Sequence, residues 1–227
     1  MSLFNLGLDV LRRRTSAKWT RYEDDVLPMF VAEMDVLPAP VISERLAEAV
    51  ADGDLGYPGA PVYQESFSDF ASWMWEWEPD PNKMWLAGDV MQAIRELILL
   101  LTGPDDAVVV NPPVYPPFYS VVGDAGRKLV PVSMTPSGRL DLEALAASFE
   151  AHHPRAMLLC SPHNPTGTIH SRAELTELAA LANQHGVTII ADEIHAPLAG
   201  SGHVPFVTVP GGESGVVVIS ASKAWNL

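Results

Sequence analysis

The sequence predicts an α/β fold, with a mainly parallel sheet flanked by helices in a three-layer αβα arrangement. From residue 84 onward, short apolar runs alternate with longer amphipathic segments, an order typical of parallel sheets. Runs such as Ala107–Val110 have no polar face, as expected for strands that are covered on both sides. With 48% hydrophobic residues among 227 positions, the chain has enough apolar material for a large core.

The part of the chain before this alternation has a different pattern. Residues 1 to about 37 show few periodic features, and Pro40 then precedes an amphipathic stretch, Val41–Val50, that predicts a helix. A turn-rich loop over 53–59 follows. We predict a second helix over Tyr63–Trp77, and we expect its tryptophans to lie in the core or on a docking surface.

The alternating part supplies the strands and helices of the sheet layer. In open sheets of this class, ligands bind at the carboxyl ends of the strands, so the residues that follow each strand carry the functional argument. The predicted strands are Met84–Leu86, Ala107–Val110, Leu129–Val132, Ala156–Cys160, Val187–Ala191 and Val216–Ser220. The predicted helices are Val90–Leu101, Val114–Val122, Leu142–Phe149 and Ala173–Gln184.

Charge and cysteine content narrow the range of partners. The net charge of −14, from 28 acidic and 14 basic residues, repels nucleic acid and anionic lipid, so we expect neither as a partner. No apolar stretch is long enough to span a bilayer, and we find no signal peptide. The single cysteine, Cys160, lies in an apolar run and is interpreted as a buried thiol, which fits a reducing cytoplasm. We expect no metal site.

A lysine and an aspartate each follow an apolar strand. Val216–Ser220 leads into Ala221-Ser222-Lys223, and Val187–Ala191 leads into Asp192. Pyridoxal 5'-phosphate (PLP) enzymes need this pair, because the lysine amine forms a Schiff base with the cofactor aldehyde and the carboxylate pairs with the pyridinium nitrogen. A lone lysine is usually a surface charge and a lone aspartate usually caps a turn, but the two together at strand ends favour PLP.

Three further segments at strand ends can serve the same site. Asn164 can donate its side-chain amide to the phenolic oxygen of the cofactor, although a tight turn also accounts for its Asn-Pro-Thr-Gly context. Tyr115 can stack on the pyridine ring, and a rigid proline-rich loop is the structural alternative. Gly88–Gln92 leads into a helix start, where free backbone amides bind a phosphate dianion.

Six phrases together resemble the fold-type I PLP enzymes of the aspartate aminotransferase superfamily, and among them the MalY/PatB-type cystathionine β-lyases (C–S lyases). The match runs over nearly the whole chain. The Asn-Pro-Thr-Gly and Ser-X-Ser-Lys pieces are common to many aminotransferases, whereas His163, and His195 where aminotransferases usually carry tyrosine, resemble the lyases more specifically. The phrases are Phe30-Val31-Ala32-Glu33-Met34-Asp35, Gly56-Tyr57, Pro113-Val114-Tyr115-Pro116-Pro117-Phe118, Pro162-His163-Asn164-Pro165-Thr166-Gly167, Asp192-Glu193-Ile194-His195 and Ser222-Lys223-Ala224-Trp225-Asn226-Leu227.

The resemblance implies a PLP-transferase-like large domain and a role for each candidate residue. Lys223 would hold the cofactor, Asp192 would pair with its ring nitrogen, Asn164 would bind its phenolic oxygen and Tyr115 would stack on its ring. Val90 and Met91 would contact the phosphate, with Ser220 and Ser222 as further candidates.

The resemblance also implies a homodimer with the sites at the subunit interface. Tyr57 would then reach the phosphate of the neighbouring subunit, although a simple loop aromatic fits the sequence equally well. His195 matches the family motif, either as a packed histidine near the cofactor or as a proton donor.

Two activities that share their early steps follow from the resemblance. The first is β-elimination on sulfur amino acids such as cystathionine or cysteine S-conjugates, giving a thiol, pyruvate and ammonia. The alternative is an aminotransferase acting on aspartate, aromatic or histidinol-phosphate substrates. His163 and His195 favour the lyase.

The chain stops at Leu227, four residues after Lys223, whereas members of the resembled family continue. We therefore expect residues 1–50 to form an N-terminal arm and part of a small domain, and 51–227 to form an incomplete PLP-binding large domain. The C-terminal small domain would be absent, and with it an arginine that clamps the substrate carboxylate. A catalytically incompetent truncated fragment is thus a second alternative.

Overall fold

The computed structural model describes residues 6–59 and 61–227. These residues divide into two compact units, one formed by the described residues up to Gly59 together with Ala221–Leu227, and the other by residues 61–220. Residues 1–5 of the expected N-terminal arm lie outside the described residues. The domain boundary between residues 50 and 51 stays a prediction.

The secondary structure alternates between helices and strands as the sequence pattern predicts. The helices are α1 (Leu8–Leu11), α2 (Ala17–Thr20), α3 (Pro40–Asp52), α4 (Val62–Trp75), α5 (Val90–Leu101), α6 (Pro117–Asp124), α7 (Leu142–His152), α8 (Arg172–His185) and α9 (Ala196–Ala199). The strands are β1 (Ala107–Val110), β2 (Lys128–Pro131), β3 (Ala156–Cys160), β4 (Thr188–Asp192) and β5 (Val216–Val218). Short 3₁₀ turns occur at Pro81–Lys83, Gly200–Gly202, Phe206–Thr208 and Gly212–Ser214.

The five strands form one parallel sheet in the order β2-β1-β3-β4-β5. This confirms the predicted α/β class. The strand predicted at Met84–Leu86 is wrong: the segment pairs with no described strand, and Trp85 is 84% exposed. An apolar run becomes a strand only where a neighbour accepts its backbone hydrogen bonds, and this run has no such neighbour among the described residues.

The sheet carries a core on each face, which confirms the three-layer arrangement. On β3, Met157 and Leu159 belong to the cluster that contains Phe149 of α7. Their neighbours Ala156, Leu158 and Cys160 belong to the opposite cluster, which contains Phe118 of α6. Alternate side chains of one strand thus enter two cores, so the strand needs no polar face.

Local capping sets where the helices begin. Ser171 forms a capping box with Glu174 at the start of α8, in which each side chain bonds to the backbone of the other. Asp89 caps α5 by accepting from Gln92 N at 2.9 Å. Helix α6 begins at Pro117, three residues later than predicted, because proline suits the first helical turn and the preceding loop is fixed by prolines.

A loop beyond α9 closes over β4 and β5. Phe206 is 1% exposed, and a Cβ atom added at Gly215 would lie 2.7 Å from its ring. A Cβ atom added at Gly212 would overlap the Phe206 carbonyl oxygen. The two glycines therefore provide the space in which Phe206 packs.

In the first compact unit, side chains bind to backbone carbonyls. Arg14 donates to the carbonyl oxygens of Met34 and Val36 at 3.1 and 2.8 Å. Lys18 donates to Glu33 O at 2.9 Å and pairs with Asp35 at 2.7 Å. Helix α3 is amphipathic but buries none of its residues.

The tryptophans of α4 have different surroundings. Trp75 is 8% exposed, packs with Ala71 and Ala196, and donates its ring N–H to Gly200 O at 3.0 Å. Trp73 is 75% exposed. Trp75 therefore lies in the core, as one of the two expectations has it, whereas Trp73 lies outside the core and its place on a docking surface stays a prediction. No helix in the described part of the chain is long and apolar enough to cross a membrane.

Candidate active site

Polar residues collect at the carboxyl edge of the parallel sheet. Asn111 follows β1, the loop Ser161–Thr168 follows β3, Asp192 ends β4, and Ser220 lies just past β5. The chain leaves β1 toward β2 on one side, while β3 lies on the other side of β1. From β3 the chain runs to β4 on the opposite side, so the connections from β1 and β3 diverge, and ligands bind at such a divergence in sheets of this class.

Asp192 is the charged centre of this edge. It is 4% exposed, and its Oδ1 accepts a hydrogen bond from Ile194 N at 3.1 Å. In the sheet register it lies opposite Cys160 on β3 and Val218 on β5. A carboxylate that is buried at a strand end can act on a ligand at short range with little screening by water.

Tyr115 lies within reach of that charge. Burial raises the pKa of Tyr115, and the nearby carboxylates of Asp192 and Asp89 raise it further. The ring is half-buried and packs edge-on against Phe118, with centroids 6.2 Å apart. At neutral pH Tyr115 is therefore an uncharged aromatic ring near the carboxyl edge of the sheet.

Asn164 lies in the loop after β3. Its backbone N–H donates to the Cys160 sulfur at 3.2 Å. Within residues 6–59 and 61–227, its side-chain amide makes no hydrogen bond, so the amide is available to a ligand. Cys160 itself is 3% exposed, and burial followed by the charge of Asp192 raises the pKa of the thiol to about 12. The prediction of a buried thiol is confirmed.

The start of α5 supplies backbone donors. Val90 is the first residue of the helix and Met91 the second. Amides at these two positions have no acceptor within their own helix, and the helix dipole adds partial positive charge there. The Asp89 side chain accepts a hydrogen bond only from the amide of the third helical residue, Gln92. The geometry leaves two amides for an anion.

The two remaining candidates in this unit lie near β4 and β5. Ser220 and His195 are both half-buried and both make contacts. His195 immediately precedes the short helix α9, at the end of the turn that starts from Asp192. These placements are compatible with the predicted roles without testing them.

Lys223, Ser222 and Tyr57 belong to the other compact unit. Lys223 is half-buried, and its Nζ donates to Ala32 O at 3.1 Å. Ser222 is half-buried and Tyr57 is fully exposed. Along the chain, Lys223 lies five positions after Val218, the register partner of Asp192.

Sequence reasoning missed the polar contacts behind the edge. Glu193 is fully buried; it accepts from His203 Nε2 at 2.8 Å and from Phe206 N at 2.8 Å. His163 is also buried and contacts Asn111 and Thr166. Both residues stand in phrases that carry the family resemblance, next to Asn164 and Asp192, but those phrases gave no sign of these contacts.

A comparison with protein families settles the membership of the chain. Residues 24–227 match the family described as aminotransferase class I and II. The chain belongs to this family. The resemblance predicted from the six phrases is therefore confirmed.

Individual members of the family give a closer comparison. A provisionally named cystathionine beta-lyase of Mycobacterium leprae is 45% identical over 235 residues, covering 99% of this chain and 58% of the relative. The cystathionine beta-lyase of Corynebacterium glutamicum is 34% identical over 223 residues, covering 96% and 60%. The chain thus spans somewhat over half the length of these family members.

A solved structure agrees with the fold. A provisionally assigned PLP-dependent beta-cystathionase from Corynebacterium diphtheriae matches with a TM-score of 0.93 at 28% identity. The match covers 100% of this chain and 60% of that protein. The arrangement of helices and strands described above is therefore that of a PLP-dependent family member.

Proposed function

We propose that the protein to which this chain belongs is a PLP-dependent carbon–sulfur lyase. It would eliminate a thiol from the β-carbon of a sulfur amino acid such as cystathionine or a cysteine S-conjugate, leaving pyruvate and ammonia. The observation that carries the proposal is the buried carboxylate of Asp192, at the end of a strand whose neighbour leads to Lys223. The named relatives support the choice of substrate class.

The residues at the sheet edge fit PLP. Asp192 offers a buried anion for the pyridinium nitrogen, and Tyr115 offers an uncharged ring for stacking. The free side-chain amide of Asn164 suits the phenolic oxygen. The amides of Val90 and Met91 suit the phosphate. The candidate residues therefore offer an anion, an aromatic ring and amide donors, which are the kinds of group that PLP needs around it.

The chain's own residues divide the chemistry among them. When bound, PLP supplies an electron sink for the pair left at the substrate Cα. Lys223 holds the cofactor before the reaction, and its freed amine then takes the Cα proton. Asp192 keeps the ring nitrogen protonated, which strengthens the sink. Tyr115 restricts the tilt of the ring and excludes water from its face.

The remaining roles complete the proposal. We assign Ser220 and Ser222 as further phosphate contacts and His195 as a histidine beside the cofactor. We also propose a homodimer in the cytoplasm, in which Tyr57 reaches the phosphate of the neighbouring subunit. The complete exposure of Tyr57 is compatible with that role.

Covalent trapping tests the proposal. Borohydride should fix PLP on Lys223, so that peptide mapping finds the reduced adduct there and Lys223→Ala abolishes it. The matched control is Lys83→Ala, which changes an exposed lysine after α4 and should leave trapping unchanged. An adduct on any other lysine contradicts the assignment.

A product assay tests the reaction itself. Pyruvate and homocysteine released from cystathionine in equal amounts, without any oxo acid, support the lyase. The second candidate is an aminotransferase, which the family description favours. Amino transfer that requires 2-oxoglutarate, with no pyruvate from cystathionine alone, would replace the lyase proposal with this one.

A further inference from the structure

We propose that His163 is a positioning residue that ties the Asn164 loop to the end of β1, where the Tyr115 loop begins. The inference rests on the proposed function, because it gives His163 the task of holding two walls of the PLP site at a fixed spacing. It concerns residues of one compact unit only.

Both ring nitrogens of His163 are engaged. The residue is 2% exposed, its Nε2 lies 3.4 Å from Asn111 O, and its Nδ1 lies 2.9 Å from Thr166 Oγ1. The backbone of His163 closes the same loop, donating to Thr168 O at 2.8 Å and accepting from Gly167 N at 2.7 Å. Side chain and main chain therefore restrain one short segment.

The contact with the Asn111 carbonyl indicates which nitrogen of His163 carries a proton. A carbonyl oxygen only accepts hydrogen bonds, so Nε2 must donate to Asn111 O. With that proton on Nε2 of a neutral ring, Nδ1 accepts from the Thr166 hydroxyl. Thr166 Oγ1 also accepts from Thr168 N at 3.3 Å and lies 2.9 Å from Thr168 Oγ1, whose own hydroxyl donates to Gly138 O. Burial lowers the pKa of His163, which favours this neutral form.

The surroundings of the His163 ring disfavour a positive charge on it. The buried ring of His170 faces His163 edge-on, with centroids 6.3 Å apart, and the interaction with His170 also lowers the pKa of His163. Beyond it, Glu174 lies 3.3 Å from His170 Nδ1. A neutral His163 with a directed N–H is thus the form that fits.

The contact between His163 and Asn111 joins the loop after β3 to the end of β1. Asn111 immediately follows β1, is buried, and is itself fixed by a hydrogen bond from its Nδ2 to Val132 O at 3.0 Å. Tyr115 lies four residues beyond it. Asn164 immediately follows His163. One imidazole therefore links the backbones that carry the candidate amide and the candidate stacking ring.

Two substitutions separate this role from simple packing. His163→Phe keeps a flat side chain but leaves Asn111 O and Thr166 without their partner. His163→Gln retains an N–H donor at the position of Nε2. His152→Gln, on the exposed end of α7, is the matched control. The measurements are the dissociation constant of PLP and the pH midpoint of its visible absorbance band, made on the full chain.

We expect His163→Phe to weaken PLP binding about tenfold, the effect of one or two lost hydrogen bonds to buried partners. The band midpoint should move with it, because the Asn164 amide shifts from the phenolic oxygen. His163→Gln should recover most of both properties, and the control should change neither. If His163→Phe does not fold, Thr166→Val should shift the same readouts in the same direction by a smaller amount.

A measurement without cofactor is independent of the proposed function. The ring ¹⁵N shifts of His163 in the PLP-free protein should show a proton on Nε2 and none on Nδ1. A proton on Nδ1 alone, or wild-type PLP affinity and band midpoint in His163→Phe, would overturn the inference. No band and no borohydride adduct in the wild-type protein would instead overturn the proposed function, and the assigned task of His163 with it.

Discussion

The two compact units are stabilised by different kinds of interaction. In residues 61–220, fully buried apolar side chains such as Phe118 and Phe149 fill a core on each face of a parallel sheet. In the other unit, the described residues that are buried are few, namely Leu11, Lys18, Pro28 and Val36. Its order comes from side chains bound to backbone carbonyls. We therefore expect the buried apolar area to determine stability in residues 61–220, and hydrogen bonds to determine it in the other unit.

The largest effect should come from the same substitution made in both units. Leu158→Ala truncates a side chain of β3 that is 1% exposed and packs in the core on one face of the sheet. It should lower the free energy of unfolding by about 3–4 kcal/mol. Leu46→Ala, at a position of α3 that is 56% exposed, should change it by less than about 0.5 kcal/mol. Urea unfolding of both variants measures the difference. Equal losses would mean that the contrast between the units is wrong.

Breaking the buried Glu193–His203 pair should have the next largest effect. Glu193→Gln removes the charge that faces His203 Nε2 at 2.8 Å, and should cost about 2–3 kcal/mol of unfolding free energy. Glu96→Gln, in an exposed pair with Arg95, is the control and should cost less than about 0.5 kcal/mol. A Glu193→Gln protein as stable as the control would show that polar contacts contribute little in the sheet unit.

A polar contact of the first unit should have a smaller and local effect. Lys18→Met removes the donor to Glu33 O and the partner of Asp35, a loss of about 1–2 kcal/mol. Hydrogen exchange should accelerate at residues 33–36 and stay unchanged in the sheet strands. Arg13→Met, which breaks an exposed pair at 4.0 Å, should leave exchange unchanged. Acceleration in the strands as well would contradict the separate stabilisation of the units.

The smallest effect concerns pH. Burial opposes ionisation of Glu174, but the His170 ring 3.3 Å away and hydrogen bonds from Leu140 N and Ser171 N outweigh it and lower the pKa of Glu174 from 4.5 to about 2. A lowered carboxyl pKa stabilises the fold above pH 4.5, and the contribution is lost as pH falls from there toward about 2. The free energy of unfolding, measured by urea titration, should fall about 1 kcal/mol further between pH 5 and pH 2.5 in the wild type than in Glu174→Gln. Parallel curves would remove the assignment.

Patterns of short range made much of the fold predictable. The strands β1 and β3 lie where the sequence predicts them, because runs buried on both faces are apolar throughout. The same reasoning failed at Met84–Leu86, since no periodicity reveals whether a pairing partner exists. It placed the start of α6 three residues too early, because it gave the prolines after Tyr115 too little weight.

The candidate site was predictable only as a set of residue types at strand ends. The structure brings Asp192, Tyr115 and Asn164 to one edge of the sheet, as parallel topology requires. The roles assigned to these residues stay predictions. Contacts such as Lys223 with Ala32, which are 191 positions apart, depend on tertiary structure and leave no mark in local sequence.

The packing of Phe206 against Gly212 and Gly215 ties a remote loop to the neighbourhood of Asp192, the carboxylate of the candidate site. The Phe206 N–H holds Glu193, and Glu193 directly follows Asp192 along the chain. A methyl group introduced at Gly212 would press on the Phe206 carbonyl and disturb that sequence of contacts without touching any ligand. If a substitution in this loop lowers activity, the expected cause is a shift of Asp192 transmitted through the backbone, even though the substituted residue touches no ligand.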